Sequence, residues 1–299
     1  MRKDALGIAL CLISLSTLSG CFALRPRNSA KPETARAQMQ PPAPDPLPKI
    51  EPPPPPLPKE TPATPVARAD DSPLRQLVNK ALEKEKSLNN YICRLRRREQ
   101  ASGKTEPMDV IMVKYRRSPL SLHFKWLGDE NKGRELVYVK GKYDDKVQVV
   151  TGQGDWLGPG RYLQFPPDSE LMKSRSRYPI TEGGVGAAVV RFSALLDAID
   201  RGQPNAGSVR YLGKKTRAES PNPMETVEQI ILPGVETFLP RGGTRYLYFD
   251  ETTSLPLLIQ TYDHNHFEVE YYCFDRFQAP VPLDDADFDP MKLWPMAKK

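Results

Sequence analysis

The chain has 299 residues, of which 39% are hydrophobic and 27% charged, and its net charge is +6 at neutral pH. Fifteen of its 32 prolines lie between Phe22 and Asp70, so two compositions are joined in one chain. The length and composition exclude a disulfide-stapled miniprotein, a collagen-like repeat and a membrane protein with many spans. Residues 72–299 carry 34 basic and 30 acidic side chains, a balance too even to favour nucleic acid as a partner.

The first twenty residues have the pattern of a bacterial lipoprotein signal peptide. Arg2 and Lys3 give a positive start, and residues 5–17 form an apolar run. Such a run suits a secretory signal but is shorter than the roughly 20 residues of a membrane-spanning helix. It ends in Leu-Ser-Gly-Cys at 18–21, which resembles the lipobox of bacterial lipoproteins. We therefore predict a signal peptide at 1–20 and lipidation of Cys21, the alternative being a chance cysteine after an ordinary signal.

The segment after Cys21 is expected to be a tether. In the enterobacterial sorting rule an aspartate after the lipidated cysteine retains the protein at the inner membrane. Phe22 therefore implies the periplasmic side of the outer membrane. Residues 21–71 are Pro-rich, which favours extended, disordered chain with polyproline II character. The membrane, reached through the lipid anchor, is thus the first predicted partner.

The remaining chain alternates between helical and strand periodicity. Ser72 and Pro73 predict a helix start, and apolar residues recur at helical spacing to position 88. Five strands are predicted next, at 91–99, 108–117, 120–127, 135–140 and 146–151. A second helix is predicted at 185–200, with Gly202 ending it, and five more strands follow at 208–217, 226–232, 244–250, 255–262 and 267–277.

This order of elements predicts a mainly β (α+β) fold. Short links between consecutive strands favour antiparallel pairing, and two helices are too few for a doubly wound sheet. We expect a curved antiparallel sheet forming a half-barrel, with both helices packed on its concave side. The predicted domain covers 72–291, and 292–299 form a tail.

Strand alternation and the helical period select side chains for the concave interior. The candidates are Met112, Phe124, Trp126, Val189 and Phe192. They either line a ligand pocket or fill an ordinary core, because both use the same residue types.

Motifs for chemistry are scarce. His264, His266 and Glu268 would suit a metal if they shared a strand face, but residues 263–266 read as a hairpin turn, so no metal site is predicted. No catalytic constellation or cofactor motif is present, and we predict that the protein is not an enzyme. Cys93 and Cys273 either form a disulfide or pack as small apolar side chains.

A resemblance to known families adds to this interpretation. The stretch 244–290, with paired tyrosines at 271–272 and the closing Asp-Phe-Asp-Pro at 287–290, resembles the last hairpin of LolA/LolB-like lipoprotein-carrier domains. The earlier half resembles an uncharacterised family of bacterial envelope lipoproteins, domain of unknown function 1571, through YICRL at 91–95, KWLG at 125–128 and RYPIT at 177–181. The resemblance implies a half-barrel whose apolar interior holds lipid.

The sequence thus leads to two functional hypotheses. In the first, a lipid-anchored protein of the bacterial cell envelope binds a lipid or another apolar ligand in the half-barrel, without catalysis. In the second, it is an envelope scaffold or interaction lipoprotein with a filled core and no ligand. The sequence does not choose between them, and it leaves the oligomeric state open.

Overall fold

The computed structural model describes residues 72–101 and 104–295. The predicted signal peptide, Cys21 and the Pro-rich tether lie outside these residues. Within them, no helix is both long enough and apolar enough to cross a membrane.

The described residues form four α-helices and twelve β-strands. The helices are α1 (Pro73–Ser87), α2 (Glu170–Arg175), α3 (Val185–Asp200) and α4 (Pro290–Leu293). The strands are β1 (Asn90–Ala101), β2 (Lys104–Thr105), β3 (Asp109–Arg116), β4 (Ser121–Trp126), β5 (Glu135–Val139), β6 (Val147–Val150), β7 (Tyr162–Phe165), β8 (Ser208–Lys215), β9 (Met224–Ile231), β10 (Gly243–Phe249), β11 (Pro256–Asp263) and β12 (Glu268–Gln278).

Eleven of these strands form one antiparallel sheet in the order β7-β6-β5-β4-β3-β1-β12-β11-β10-β9-β8. The short β2 pairs with the end of β1. From the central β1 the chain moves strand by strand to one edge, crosses to the other edge through the segment that carries α2 and α3, and returns to β1. The predicted mainly β fold, a curved and open antiparallel sheet with helices, is confirmed.

Local chemistry sets where α1 and α3 begin. The Ser72 hydroxyl accepts a hydrogen bond from the Arg75 amide, and Pro73 occupies the first turn of α1. Helix α3 follows Gly184, whose φ of +104° suits glycine. The Tyr91 hydroxyl accepts the first amide of α3, from Val185, at 3.1 Å. A Cβ on residue 184 would lie 2.3 Å from that hydroxyl, so glycine lets the helix dock directly on β1.

Both long helices pack on the concave face of the sheet, as predicted. One cluster of buried residues joins Val78 of α1 and Val185 of α3 to strand residues from both halves of the sheet, such as Leu122 and Leu247. Arg75 of α1 contacts Asp197 of α3 at 3.0 Å. The two helices therefore lie side by side under the sheet.

The convex face is covered at one side by the C-terminal segment. Phe288 and Trp294 form a second buried cluster with Val137, Val139 and Val150, which lie on the outer faces of β5 and β6. The Trp294 position corrects the predicted tail at 292–299, because this residue is 9% exposed and packs against the sheet. The packed chain therefore continues past residue 291.

A buried carboxylate anchors this segment. Glu135 Oε2 accepts a hydrogen bond from Trp294 Nε1 at 3.0 Å and lies 2.7 Å from His123 Nε2, while Lys125 Nζ lies 3.0 Å from Glu135 Oε1. Burial opposes ionisation of Glu135, but the hydrogen bonds from His123, Trp294 and Lys125 outweigh it and lower its pKa to about 2. The carboxylate is therefore charged when it holds the C-terminal segment in place.

Cys93 and Cys273, the two cysteines of the described residues, are both free and buried. Cys93 belongs to the concave cluster and Cys273 to a cluster on the convex face. The strand alternation that sends them to opposite faces keeps them from pairing.

Candidate ligand cavity

The concave face has two halves that differ in how they are filled. Under β9, β10 and β11, helix α3 inserts its apolar side chains among Val227, Leu247 and Ile259. Phe192 lies with its ring centroid 6.3 Å from that of Phe249. We call this region the filled half, because its side chains meet in close-packed contact.

The other half, which extends from β12 and β1 across to β7, contains a cavity of about 740 Å³ that is open on one side. Helix α2 and the segments around it form the wall opposite the sheet. Apolar surface predominates in the lining, and the apolar side chains there include Leu95, Phe124, Trp126, Leu136, Val149, Leu163, Phe165, Leu171, Met172, Ile180 and Phe274. We call this region the cavity half.

Val149 lies at the centre of the strand wall of the cavity. It pairs in register with Leu136 of β5 and Leu163 of β7, and all three side chains line the cavity. Because directly paired residues of antiparallel strands share a face, the three form one apolar row across the sheet.

Four of the charged residues that line the cavity form two ion pairs at its edge. Arg97 Nη2 lies 2.8 Å from Asp109 Oδ2, and Arg134 Nη2 lies 2.5 Å from Asp155 Oδ1. The Trp126 ring lies between the two arginines, whose Cζ atoms are 5.9 and 5.4 Å from its centroid. Each pair is neutral as a whole and lies at the edge of the apolar wall.

A buried polar network adjoins the cavity and extends across β1, β12, β11 and β10. Glu99 lines the cavity and accepts hydrogen bonds from the Tyr272 hydroxyl and the Arg177 amide. Burial raises the pKa of Glu99 despite the nearby Arg97. This carboxyl group is therefore easier to protonate than one in water.

The same network continues away from the cavity through Glu270. Its Oε2 accepts from Arg245 at 3.3 Å and from the Thr261 hydroxyl. Burial opposes the charge on Glu270, but Arg245 and Arg177 outweigh it and lower the pKa of this carboxyl. Arg245 also makes two 2.9 Å hydrogen bonds to Glu236, so the buried charges compensate one another.

The five predicted interior residues have three different positions. Phe124 and Trp126 line the cavity. Val189 and Phe192 are 1% and 3% exposed. They lie in the filled half and do not line the cavity. The prediction for Met112 is wrong, because Met112 pairs with Lys125 and therefore lies on the convex face, whereas the neighbouring pair Val113 and Phe124 is concave.

Several cavity residues were not predicted at all. Leu163 and Phe165 lie on β7, and Met172 lies on α2, both within a stretch rich in glycine and proline. On β7, apolar and polar residues alternate over only four positions, which is a weak strand signal. The strand is recognisable only when its pairing with β6 is known.

The described part of the chain contains no group of three or more potential metal ligands among His, Cys, Asp and Glu. His264 and His266 lie at the β11–β12 turn, and Glu268 forms an ion pair with Arg98. The polar character of the turn and the ion pair account for these residues.

The comparisons with known proteins place this architecture in a family. Residues 88–293 match the family described as "Protein of unknown function (DUF1571)". The chain belongs to this family. The predicted membership is thereby confirmed, and no curated protein matches the chain.

Solved structures similar to the chain have low sequence identity to it. An uncharacterised conserved protein from Thermus thermophilus is 9% identical, with a TM-score of 0.42 over 73% of this chain and 93% of that one. The lipoprotein LppX of Mycobacterium tuberculosis is 11% identical, with a TM-score of 0.38 over 70% and 97%. A LolA superfamily protein from Nitrosomonas europaea is 9% identical, with a TM-score of 0.35 over 72% and 96%.

Proposed function

We propose that this DUF1571 protein is a lipid-anchored, non-enzymatic protein of the bacterial cell envelope that holds a lipid or another apolar ligand in its half-barrel. The observation that supports the proposal is the apolar cavity of about 740 Å³ beside a fully packed region of the same sheet. Its volume lies within the range of roughly 300–1,000 Å³ typical of ligand sites.

The size of the hydrophobic effect makes a chain-like ligand reasonable. Each buried methylene contributes about 0.8 kcal/mol, so a chain of about ten gives roughly 8 kcal/mol. That corresponds to a dissociation constant near 1 μM before the costs of ordering are subtracted. The apolar row of Val149, Leu136 and Leu163 offers a continuous wall for such a chain.

Native mass spectrometry of the purified full chain tests the proposal. We expect a bound mass that organic extraction removes and that fragments as a lipid. Val149→Trp should place an indole in the cavity and abolish the bound mass. Val190→Trp is the matched control, because Val190 is 51% exposed on α3. A wild-type chain that carries no bound mass, even after incubation with bacterial phospholipids, would instead favour the scaffold hypothesis.

The membrane anchor belongs to the same proposal and is tested separately. Cys21 supplies the thiol that lipidation requires, and two or more acyl chains on one residue give stable anchoring. Labelled palmitate should be incorporated into the wild-type chain in a bacterial host and not into Cys21→Ser. Equal labelling of both chains would contradict the anchor, whatever the cavity binds.

A further inference from the structure

Large apolar side chains are exposed at one end of the sheet. The strand register defines two ends, and the connections β1–β2–β3, β4–β5, β6–β7, β9–β10 and β11–β12 all lie at the same one. Exposed apolar side chains on these connections include Met108, Leu127, Trp156, Val235, Phe238 and Phe267. We call these six residues the apolar rim. Among the described residues, the connections between strands at the opposite end carry no comparably exposed large apolar side chain.

The most exposed member of the rim is held on a rigid support. Trp156 is 83% exposed and follows Asp155, whose carboxylate accepts hydrogen bonds from the Gly152 amide at 2.8 Å and from Arg134. The Thr151 hydroxyl donates to the Gly158 carbonyl at 2.6 Å across the same loop. These bonds close the loop that carries the exposed indole.

The rim adjoins the cavity. Trp156 belongs to the cavity lining, as do Pro107 and Asn131 from two neighbouring connections at this end. Asn131 Nδ2 donates to Asp109 at 2.9 Å, and the Gln153 amide donates to the Lys132 carbonyl at 2.9 Å, so these connections are joined to one another. An apolar ligand that leaves the cavity at this end would meet the rim before it met water.

We propose that the apolar rim docks on the surface of a phospholipid bilayer. Its side chains project from separate loops and are interspersed with charged residues, whereas protein interfaces concentrate their binding energy in a central packed cluster. Tryptophan and other amphipathic side chains favour the headgroup level of a bilayer. Phe267, 68% exposed on the β11–β12 turn, gives a second anchor at a distance from Trp156 along the sheet order.

The balance of exposed charges around the rim favours an apolar rather than an electrostatic contact with the bilayer. The connections that carry the rim expose three basic and three acidic side chains: Lys132, Arg161, Arg241, Glu106, Asp129 and Glu130. The opposite signs cancel, so binding should not require anionic lipid. The docking proposal does not depend on what the cavity holds.

The tryptophans of the chain provide a direct probe. The chain has three, of which Trp126 and Trp294 are 5% and 9% exposed and Trp156 is 83% exposed. The full chain, reconstituted into phosphatidylcholine vesicles, is compared with and without lipids brominated near the headgroup. Interfacial side chains lie about 5–10 Å into the boundary between headgroups and acyl chains, within reach of shallow bromines.

We expect brominated lipid to quench the wild-type fluorescence and lipid to shield Trp156 from acrylamide. Trp156→Phe should lose both effects. The matched control moves the probe away from the rim by combining Trp156→Phe with Val190→Trp, and it should be quenched by acrylamide but not by brominated lipid. Unchanged acrylamide quenching of wild type on vesicles, or equal bromine quenching at positions 156 and 190, would overturn the proposal. Bromine quenching that persists in Trp156→Phe would come from Trp126 in the cavity wall and would report a lipid inside the cavity, so failure of the docking proposal is distinct from failure of the proposed function.

Discussion

The two halves of the concave face share one sheet but differ in what covers them. Eleven strands about 4.8 Å apart make a sheet about 50 Å wide before curvature, whereas the 16 residues of α3 extend only about 24 Å. Helix α3 begins at Tyr91 of β1 and has reached Phe249 of β10 at Phe192, so it extends away from β4 to β7, and its apolar face packs against the filled half. The cavity half has only the six-residue α2 and irregular chain opposite its strands, which leaves the space unfilled. A cavity can thus form simply because the helices cover only part of the sheet, and no polar residues are needed to hold it open.

The largest expected difference between the halves is in the cost of removing an aromatic ring. Phe192→Ala should lower the free energy of unfolding by about 3–5 kcal/mol, because the packed surroundings cannot collapse into the space. Phe124→Ala should cost clearly less, since Phe124 already borders open volume. Denaturant unfolding of the full chain measures both. Equal costs would contradict the distinction between a filled half and a cavity half.

The polar network next to the filled half should also be sensitive to substitution. Glu270→Gln removes the more deeply buried of the two carboxylates that pair with Arg245 and leaves only Glu236, so it should cost about 1–3 kcal/mol of unfolding free energy. Glu268→Gln, two residues away on the same strand, is the matched control. Its pair with Arg98 is partly exposed, so we expect a loss below about 1 kcal/mol. Similar losses from the two variants would show that the Glu270 charge has no special structural role.

A smaller and pH-dependent effect is expected on the convex face. The pKa of Glu135 is lowered from 4.5 to about 2, so its ionised form stabilises the fold above the unfolded pKa and loses this contribution as the pH falls toward 2. Glu135→Gln should therefore cost about 1–3 kcal/mol at pH 7 and progressively less between pH 4.5 and 2. Chemical unfolding of both chains across this range measures the difference. A cost that does not change with pH would contradict the assignment of an ionised Glu135.

Much of the fold, but less of the site, could be predicted from the sequence. All ten predicted strands are present, and α3 has the predicted bounds, because its apolar face is long and Gly202 follows its end. No strand or helix is predicted between 152 and 179, because glycines and prolines interrupt any period there, yet this segment contributes β7 and α2 to the cavity wall. Wall residues such as Leu163 and Met172 are recognisable only after the sheet is assembled.

The error at Met112 has a different origin. Both faces of β3 carry apolar residues, with Ile111 and Val113 on one face and Val110 and Met112 on the other. Lys114 and Arg116 share the face of Met112 and form ion pairs with Asp287 and Asp285 of the C-terminal segment. Lys114 and Arg116 therefore indicate that Met112 lies on the convex face. The C-terminal segment that pairs with these two charges is distant in sequence.

A titration with a dansyl-labelled fatty acid tests the central claim most directly, when it compares the wild-type full chain with Val149→Trp and Phe192→Ala. The account predicts saturable binding to wild type, loss of binding in Val149→Trp, and retained binding stoichiometry in Phe192→Ala despite its lower stability. If Val149→Trp binds the probe as the wild type does, or if only Phe192→Ala loses binding, the result would contradict a ligand site in the cavity half.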